Sequence, residues 1–275
     1  MKVSLRNTDR QLTAFRGIVR FSAILLALGL SNVSAQGTFG HLAYGGGWQT
    51  TFLIVNQDSA TEANASLSFY TDIGTALAPP VNGGTPMSVY SFSVPPNGST
   101  SIVLPDKGGS TSTEGWASLN VSNSPAVSGQ AIFRQNAAGS RPPLEAAVPF
   151  TSGTPLCLVP FANVNPTHSI LVPFDNTNGL HVTAFAFANT TSAAMSVPLE
   201  FDDPSGTAIT TGTLNLGALF HSSFVSTAKY PATNGKSGVL RVTLPAGANL
   251  GDLSVLALLA DSSTGTLTTL IPITQ

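Results

Sequence analysis

The chain has little charge and almost no sulfur. One cysteine, Cys157, stands in 275 residues, so no disulfide can form within the molecule and stability has to come from buried apolar surface. Only 9% of the residues are charged, and Gly, Ser, Thr, Asn and Ala fill positions where a cytoplasmic protein carries Lys and Glu. The longest apolar stretch, Phe21 to Leu30, is near ten residues and too short to cross a hydrocarbon layer of about 30 Å as a helix. Outside residues 1–35 no window of ten or more residues carries a helical apolar stripe.

Basic residues are scarcer still once the start of the chain is set apart. Lys2, Arg6, Arg10, Arg16 and Arg20 precede the apolar run, and Val33-Ser34-Ala35 follows it as a small-residue cleavage pattern, which together read as a secretory signal peptide cut after Ala35. No arginine pair is present, which favours the general secretion route. Five of the 11 basic and one of the 13 acidic residues lie in this segment, leaving 6 against 12 and a net charge of about −6 for the exported chain. Nucleic acid is therefore excluded as a partner, and no transmembrane span is expected in the mature chain.

What the sequence does contain is the same pattern twice. Gly46, Thr50, Phe52 and Asn56 recur in order as Gly179, Thr183, Phe185 and Asn189. Farther along, Leu67 to Leu77 matches Leu199 to Ile209, Ser101-Ile102-Val103 matches Ser223-Phe224-Val225, and Gly115 matches Gly238. Ala131-Ile132 then matches Ala257-Leu258, and Val148-Pro149-Phe150 matches Ile271-Pro272-Ile273. Collinear matches of this extent predict a duplicated domain. Strands are expected at 48–55, 65–71, 89–94, 99–104, 115–121, 126–134 and 144–150, separated by turn residues such as Asp72-Ile73-Gly74, Pro95-Pro96-Asn97-Gly98 and Asn136 to Gly139. Seven short strands in about 110 residues point to an all-β fold of two tandem antiparallel immunoglobulin-like β-sandwich domains.

The expected boundaries are 1–35 for the signal peptide, 36–152 for the first sandwich, 153–169 for a connecting segment and 170–275 for the second. Leu158 and Leu171 each open a Leu-Val-Pro-Phe tetrapeptide, and either could begin the second domain. Proline inside such an extended segment favours an edge strand or a bulge. The strands from Trp48 and Val182 are apolar on both faces, which predicts that one face of each is covered by a neighbouring element and that the two sandwiches pack together. An outer-membrane barrel is the architectural rival, but it calls for aromatic girdles and few prolines, and here 19 Pro accompany 2 Trp and 4 Tyr.

Few residues suggest chemistry. His41 to Trp48 invites comparison with the His-Gly-Gly-Gly oxyanion motif of esterases, but no Gly-x-Ser-x-Gly accompanies it, so it reads as a turn or bulge leading into the strand at Trp48. Asp202-Asp203-Pro204-Ser205-Gly206 reads as a solvated hairpin turn in preference to a calcium loop, since its counterpart keeps one aspartate. His41, His168, His181 and His221 lack metal-ligand spacing. A Ser-His-Asp set can be assembled only on paper, and the mature glutamates Glu62, Glu114, Glu145 and Glu200 are equally unconstrained. No cofactor, metal ligand or catalytic residue is assigned. Tyr44 and Trp48 are the ligand-binding candidates, as a stacking platform for carbohydrate, although Trp48 also suits a core anchor.

The run His41-x-Ala43-x-Gly45-Gly46-Gly47-Trp48-x-Thr50, with Asn56, Gly98 to Ser101 and Ala131 to Gln135, resembles uncharacterised exported bacterial proteins with tandem β-sandwich domains. The resemblance covers most of the mature chain. In the second half Asn178-Gly179-Leu180-His181 replaces the glycines and tryptophan. The resemblance implies fold and export and transfers no activity. The expected function is a non-catalytic secreted or cell-surface protein, with the periplasm as a further location, and with a structural, adhesive or binding role. Its partner would be carbohydrate or another surface protein. A carbohydrate-binding module and a secreted hydrolase are the alternatives.

Overall fold

A computed structural model of the protein describes residues 35–123, 126–136, 143–152 and 168–275. The leader up to Ser34, Cys157, Leu158-Val159-Pro160-Phe161 and the Ala137-Ala138-Gly139 part of one expected turn lie outside the described residues. The strands of the first half are β1 (Ala35–Tyr44), β2 (Trp48–Asn56), β3 (Ala63–Tyr70), β4 (Val89–Val94), β5 (Ser99–Leu104), β6 (Thr113–Val121), β7 (Val127–Gln135) and β8 (Leu144–Ser152). All seven expected strands are present, each within two residues at either end. The eighth, β1, corrects the reading of residues 41–47 as a turn or bulge. Only Gly45-Gly46-Gly47 forms the turn, while His41 to Tyr44 belong to a strand bent by a register shift between Phe39 and Leu42. Gly37 and Gly40 had hidden that strand, because glycine lowers β-propensity.

The second half contributes β9 (Ser169–Asp175), β10 (His181–Asn189), β11 (Met195–Asp202), β12 (Ala208–Leu216), β13 (His221–Val225), β14 (Ser237–Thr243), β15 (Leu253–Asp261), β16 (Thr266–Leu270) and β17 (Ile273–Thr274). A four-residue helix, Ser226–Lys229, and three single turns of 3-10 helix complete the regular structure among the described residues. Every pairing is antiparallel. The first half runs β4-β3-β6-β1-β8-β7-β2-β5 and folds over a core that holds Phe39, Phe52, Leu67, Phe69, Ile102 and Leu119. Its ends, β4 and β5, do not pair with each other, so the sheet stays open and the chain forms no single barrel among the described residues. The second half repeats that order as β12-β11-β14-β9-β17 and β16-β15-β10-β13.

Matching residues perform matching tasks. Buried Thr50 bridges β2 to β1, donating to the Ala43 carbonyl at 2.7 Å and accepting from the Ala43 amide at 3.0 Å. Thr183 does the same toward Asp175 of β9, at 3.0 and 2.9 Å. Buried Asn56 donates to the Thr61, Val94 and Pro95 carbonyls and accepts from the Asp58 amide. Asn189 donates to Ala193 and Gly217 and accepts from Thr191. A Cβ on Gly115 would stand 2.1 Å from the Tyr70 carbonyl oxygen, and one on Gly238 1.9 Å from that of Asp202, so only glycine permits these strand approaches.

The repeated proline also has one purpose. β8 pairs with β7 as far as Pro149 and with β1 from Phe150 onward. In the second half Pro272 separates β16, which pairs with β15, from β17, which pairs with β9. A residue without an N–H ends one ladder and lets the chain cross to the other sheet.

The two halves meet asymmetrically. The outward-facing Ala186, Leu256 and Leu258 of β10 and β15 join the apolar cluster of the first half, where β1 and β8 receive them. Gly40 of β1 lies so close to β15 that an added Cβ would fall 2.5 Å from the Ser254 hydroxyl. Thr151 bonds Ser254 at 3.1 Å, and the Thr269 hydroxyl donates to the Ala147 carbonyl at 2.5 Å. Trp116 donates its indole N–H to the Leu219 carbonyl at 2.8 Å. Packing of the halves is thus as expected, but the strand from Trp48 takes no covered outer face: Leu53 is half-buried and Val55 is 41% exposed. In the sheet order β2 lies beside the edge strand β5, whereas β1 and β8 lie at the centre and make the contact.

Candidate functional site

The hairpin between β1 and β2 carries the glycine run. Gly45, Gly46 and Gly47 have φ of 72°, 58° and 92°, conformations that L side chains resist. Two of the three amides are already engaged, Gly46 donating to the Gly108 carbonyl at 3.2 Å and Gly47 to the Asp106 carboxylate at 3.2 Å. Asp106 also accepts from Asn136 at 2.8 Å. The turn therefore offers no pair of free amides for an oxyanion.

Past the turn, Trp48 is half-buried, and its ring stacks on Phe133 of β7 at 5.0 Å and 18°. Both rings line a cleft of about 450 Å³ that the two halves enclose together. Ala184, Ala186, Leu256 and Leu258 form the opposite wall. Glu114 and Ser223, one from each half, share an exposed 2.9 Å hydrogen bond at the same cleft. Of the two ligand-binding candidates, only Trp48 is here. Tyr44 is half-buried against the apolar cluster and does not line the cleft. Burial raises the pKa of its phenol, outweighing a hydrogen bond with Thr113. The ring partner of Trp48 is Phe133, and Tyr44 forms no platform with it.

A further polar residue of the cleft is His41, which the sequence left isolated. Its Nδ1 lies 3.1 Å from Nε2 of His221, and Nδ1 of His221 lies 2.8 Å from the Asp72 carboxylate. His41 and His221 are both buried, with rings stacked at 5.2 Å. The His221 amide also donates to the Asp72 carbonyl at 3.0 Å. The hydrogen bond from His221 is the main cause holding Asp72 below the usual carboxylate range, so it is an ionised acceptor at neutral pH. With His221 neutral and its proton on Nδ1 toward Asp72, its Nε2 accepts from Nδ1–H of His41. In that arrangement the chain ends at a lone pair on Nε2 of His41, for which no protein hydrogen bond is present among the described residues. Burial, with a smaller contribution from His221, lowers the His41 pKa to about 3 against the opposing pull of Asp72, so the ring stays neutral.

Among the described residues His221 joins no Ser-His-Asp set. His221 is oriented by an aspartate as a general base would be, but the position a nucleophile would occupy is taken by His41. The position equivalent to Trp48 holds His181, which bonds Asp175 at 2.7 Å and lies 3.8 Å from Asp261. Among the described residues no group of three or more His, Cys, Asp or Glu is arranged to hold a metal ion. The Asp202–Gly206 segment is a hairpin turn, with Asp203 accepting from Ser205 and Thr207 and Asp202 paired with Arg241 at 3.2 Å.

Comparison with protein-family models, with curated proteins and with solved structures finds no match. Sequence reasoning missed the His41–His221–Asp72 chain because its members are separated by 180 and 149 positions. It also crosses between the halves, so the repeat alignment does not bring its members together. The only signal in the sequence was the rarity of histidine itself.

Proposed function

We propose that this is an exported, non-catalytic binding protein, acting outside the cell or at its surface, built from two immunoglobulin-like sandwiches that arose by internal duplication. Duplication is supported by the shared strand order and by the paired roles of Thr50 and Thr183, Asn56 and Asn189, and Gly115 and Gly238. The basic and apolar start of the chain supports export. No helix among the described residues is long and apolar enough to cross a membrane. The observation that carries the binding role is the cleft lined by both halves, with an aromatic stack on one wall and aliphatic residues on the other, the usual composition of a small-molecule site.

A secreted hydrolase is the second reading, favoured by the aspartate-oriented His221. Two experiments separate these readings. Terminal sequencing of exported material should begin at Gln36, and material beginning at Met1 would refute the leader. A screen against ester, peptide and glycoside substrates should give no turnover; turnover lost in His221→Asn would replace the binding role with catalysis. Binding of saccharides at Trp48, lost in Trp48→Ala, would restore carbohydrate as the ligand.

A further inference from the structure

We propose that the cleft between the halves holds a small aromatic or apolar molecule that carries one O–H or N–H group, and that Nε2 of His41 accepts the hydrogen bond from that group. The inference rests on the binding role proposed above and names the ligand class for it.

Three observations lead to it. The walls are apolar from both sides, with Trp48, Phe133, Ala184, Ala186, Leu256 and Leu258, so most of the ligand surface must be apolar. A sugar, with hydroxyls around its ring, would leave donors unpaired there, and a buried donor without a partner weakens binding. The volume of about 450 Å³ suits a small organic molecule and excludes a folded partner. The third observation is the direction of the proton chain. Asp72 sits at its solvent end and His41, which lines the cleft, at the other, so the carboxylate polarises two imidazoles in series toward the cleft. A buried acceptor without a partner is costly unless something donates to it.

The chain also gives selectivity. His41 stays neutral through the physiological range because it is buried, and with its single proton on Nδ1 toward His221 the free nitrogen accepts and does not donate. Ligands whose only polar group is a carbonyl or an ether gain nothing there. The half-exposed Trp48 and the Glu114–Ser223 pair mark the side from which a ligand enters.

The test compares 2-naphthol with 2-methoxynaphthalene, two probes of nearly equal shape of which only the first donates, by calorimetric titration of the intact protein at pH 7. Naphthol is expected to bind at least about fivefold more tightly, the ratio one neutral hydrogen bond supplies. In His41→Phe that preference should vanish while the ether still binds. A nitrogen-15 spectrum of the native protein should show His41 protonated on Nδ1 and bare on Nε2, with the Nε2 signal moving when naphthol is added, a readout that survives if the variant does not fold. Equal affinities for the two probes, a proton on Nε2, or a preference unchanged in His41→Phe would each overturn the role of His41, leaving the wider binding role standing. Binding of saccharides but of neither probe would overturn the ligand class alone. Failure of every probe and saccharide would remove both.

Discussion

β2 and β10 occupy equivalent places in the two halves and have the same inner face, yet their outer faces differ. Inward, Thr50, Phe52 and Ile54 correspond to Thr183, Phe185 and Phe187, all buried. Outward, Thr51, Leu53 and Val55 correspond to Ala184, Ala186 and Ala188. Val55 is 41% exposed and Ala188 0%. Large residues point out where there is water, and alanines where another sheet must approach closely. Mean hydropathy would have ranked these faces the other way. A covered sheet face is thus recognised by the size of its side chains, because close packing requires small residues at the points of nearest approach.

The largest expected effect comes from breaking that asymmetry. Residues 168–275 produced alone would expose Ala186, Leu256 and Leu258 and should aggregate, whereas residues 36–152 should remain more soluble; equal, fully stable halves would show the contact to be dispensable. Ala186→Asp in the intact chain places an unpaired carboxylate in the contact and should cost about 3–5 kcal/mol, read as a fall in Tm.

Equivalence of the inner faces predicts a matched pair. Asn56→Ala and Asn189→Ala should each cost about 2–3 kcal/mol, since each strands at least two carbonyls and a partly buried amide. Unequal losses would show that one half bears the load. Asn189 also begins an Asn-x-Ser/Thr sequence, but it is fully buried and should carry no glycan by mass spectrometry.

Acid should loosen the contact between the halves. His41 has a folded pKa of about 3 against an ordinary value of 6.5, so below pH 6.5 the unfolded chain takes the proton first. The stability present above pH 6.5 then falls by about 1.4 kcal/mol per pH unit toward pH 3. Asp72, whose pKa is also lowered, adds a loss in the same direction below its ordinary value. Denaturant melts from pH 8 to pH 4 should show this slope, reduced in His41→Leu. Trp116→Phe, which removes the single bond to Leu219, should cost about 1 kcal/mol. At the small end, Val55→Asp should change stability by less than about 0.5 kcal/mol, and a larger loss would mean that the outer face of β2 is covered after all.

Alternation and turn chemistry made most strands legible, and the ordered matches made the repeat legible, because Phe52, Asn56, Gly115 and their counterparts answer to local strand geometry. β1 escaped because two glycines and a bulge interrupt its alternation. Trp48 could be named from its place at the head of an apolar strand, but its stacking on Phe133 could not, since that depends on the register of β2 against β7. By itself, then, the sequence determined an all-β chain with a doubled strand order and the residues that close each core. Only the tertiary structure decided that β1 and β8 meet β10 and β15, and with that contact came the cleft and the Asp72–His221–His41 chain. Strand formation depends on neighbours in sequence and on the period of two, whereas the meeting of two finished surfaces depends on shape and residue size across the whole of each sheet.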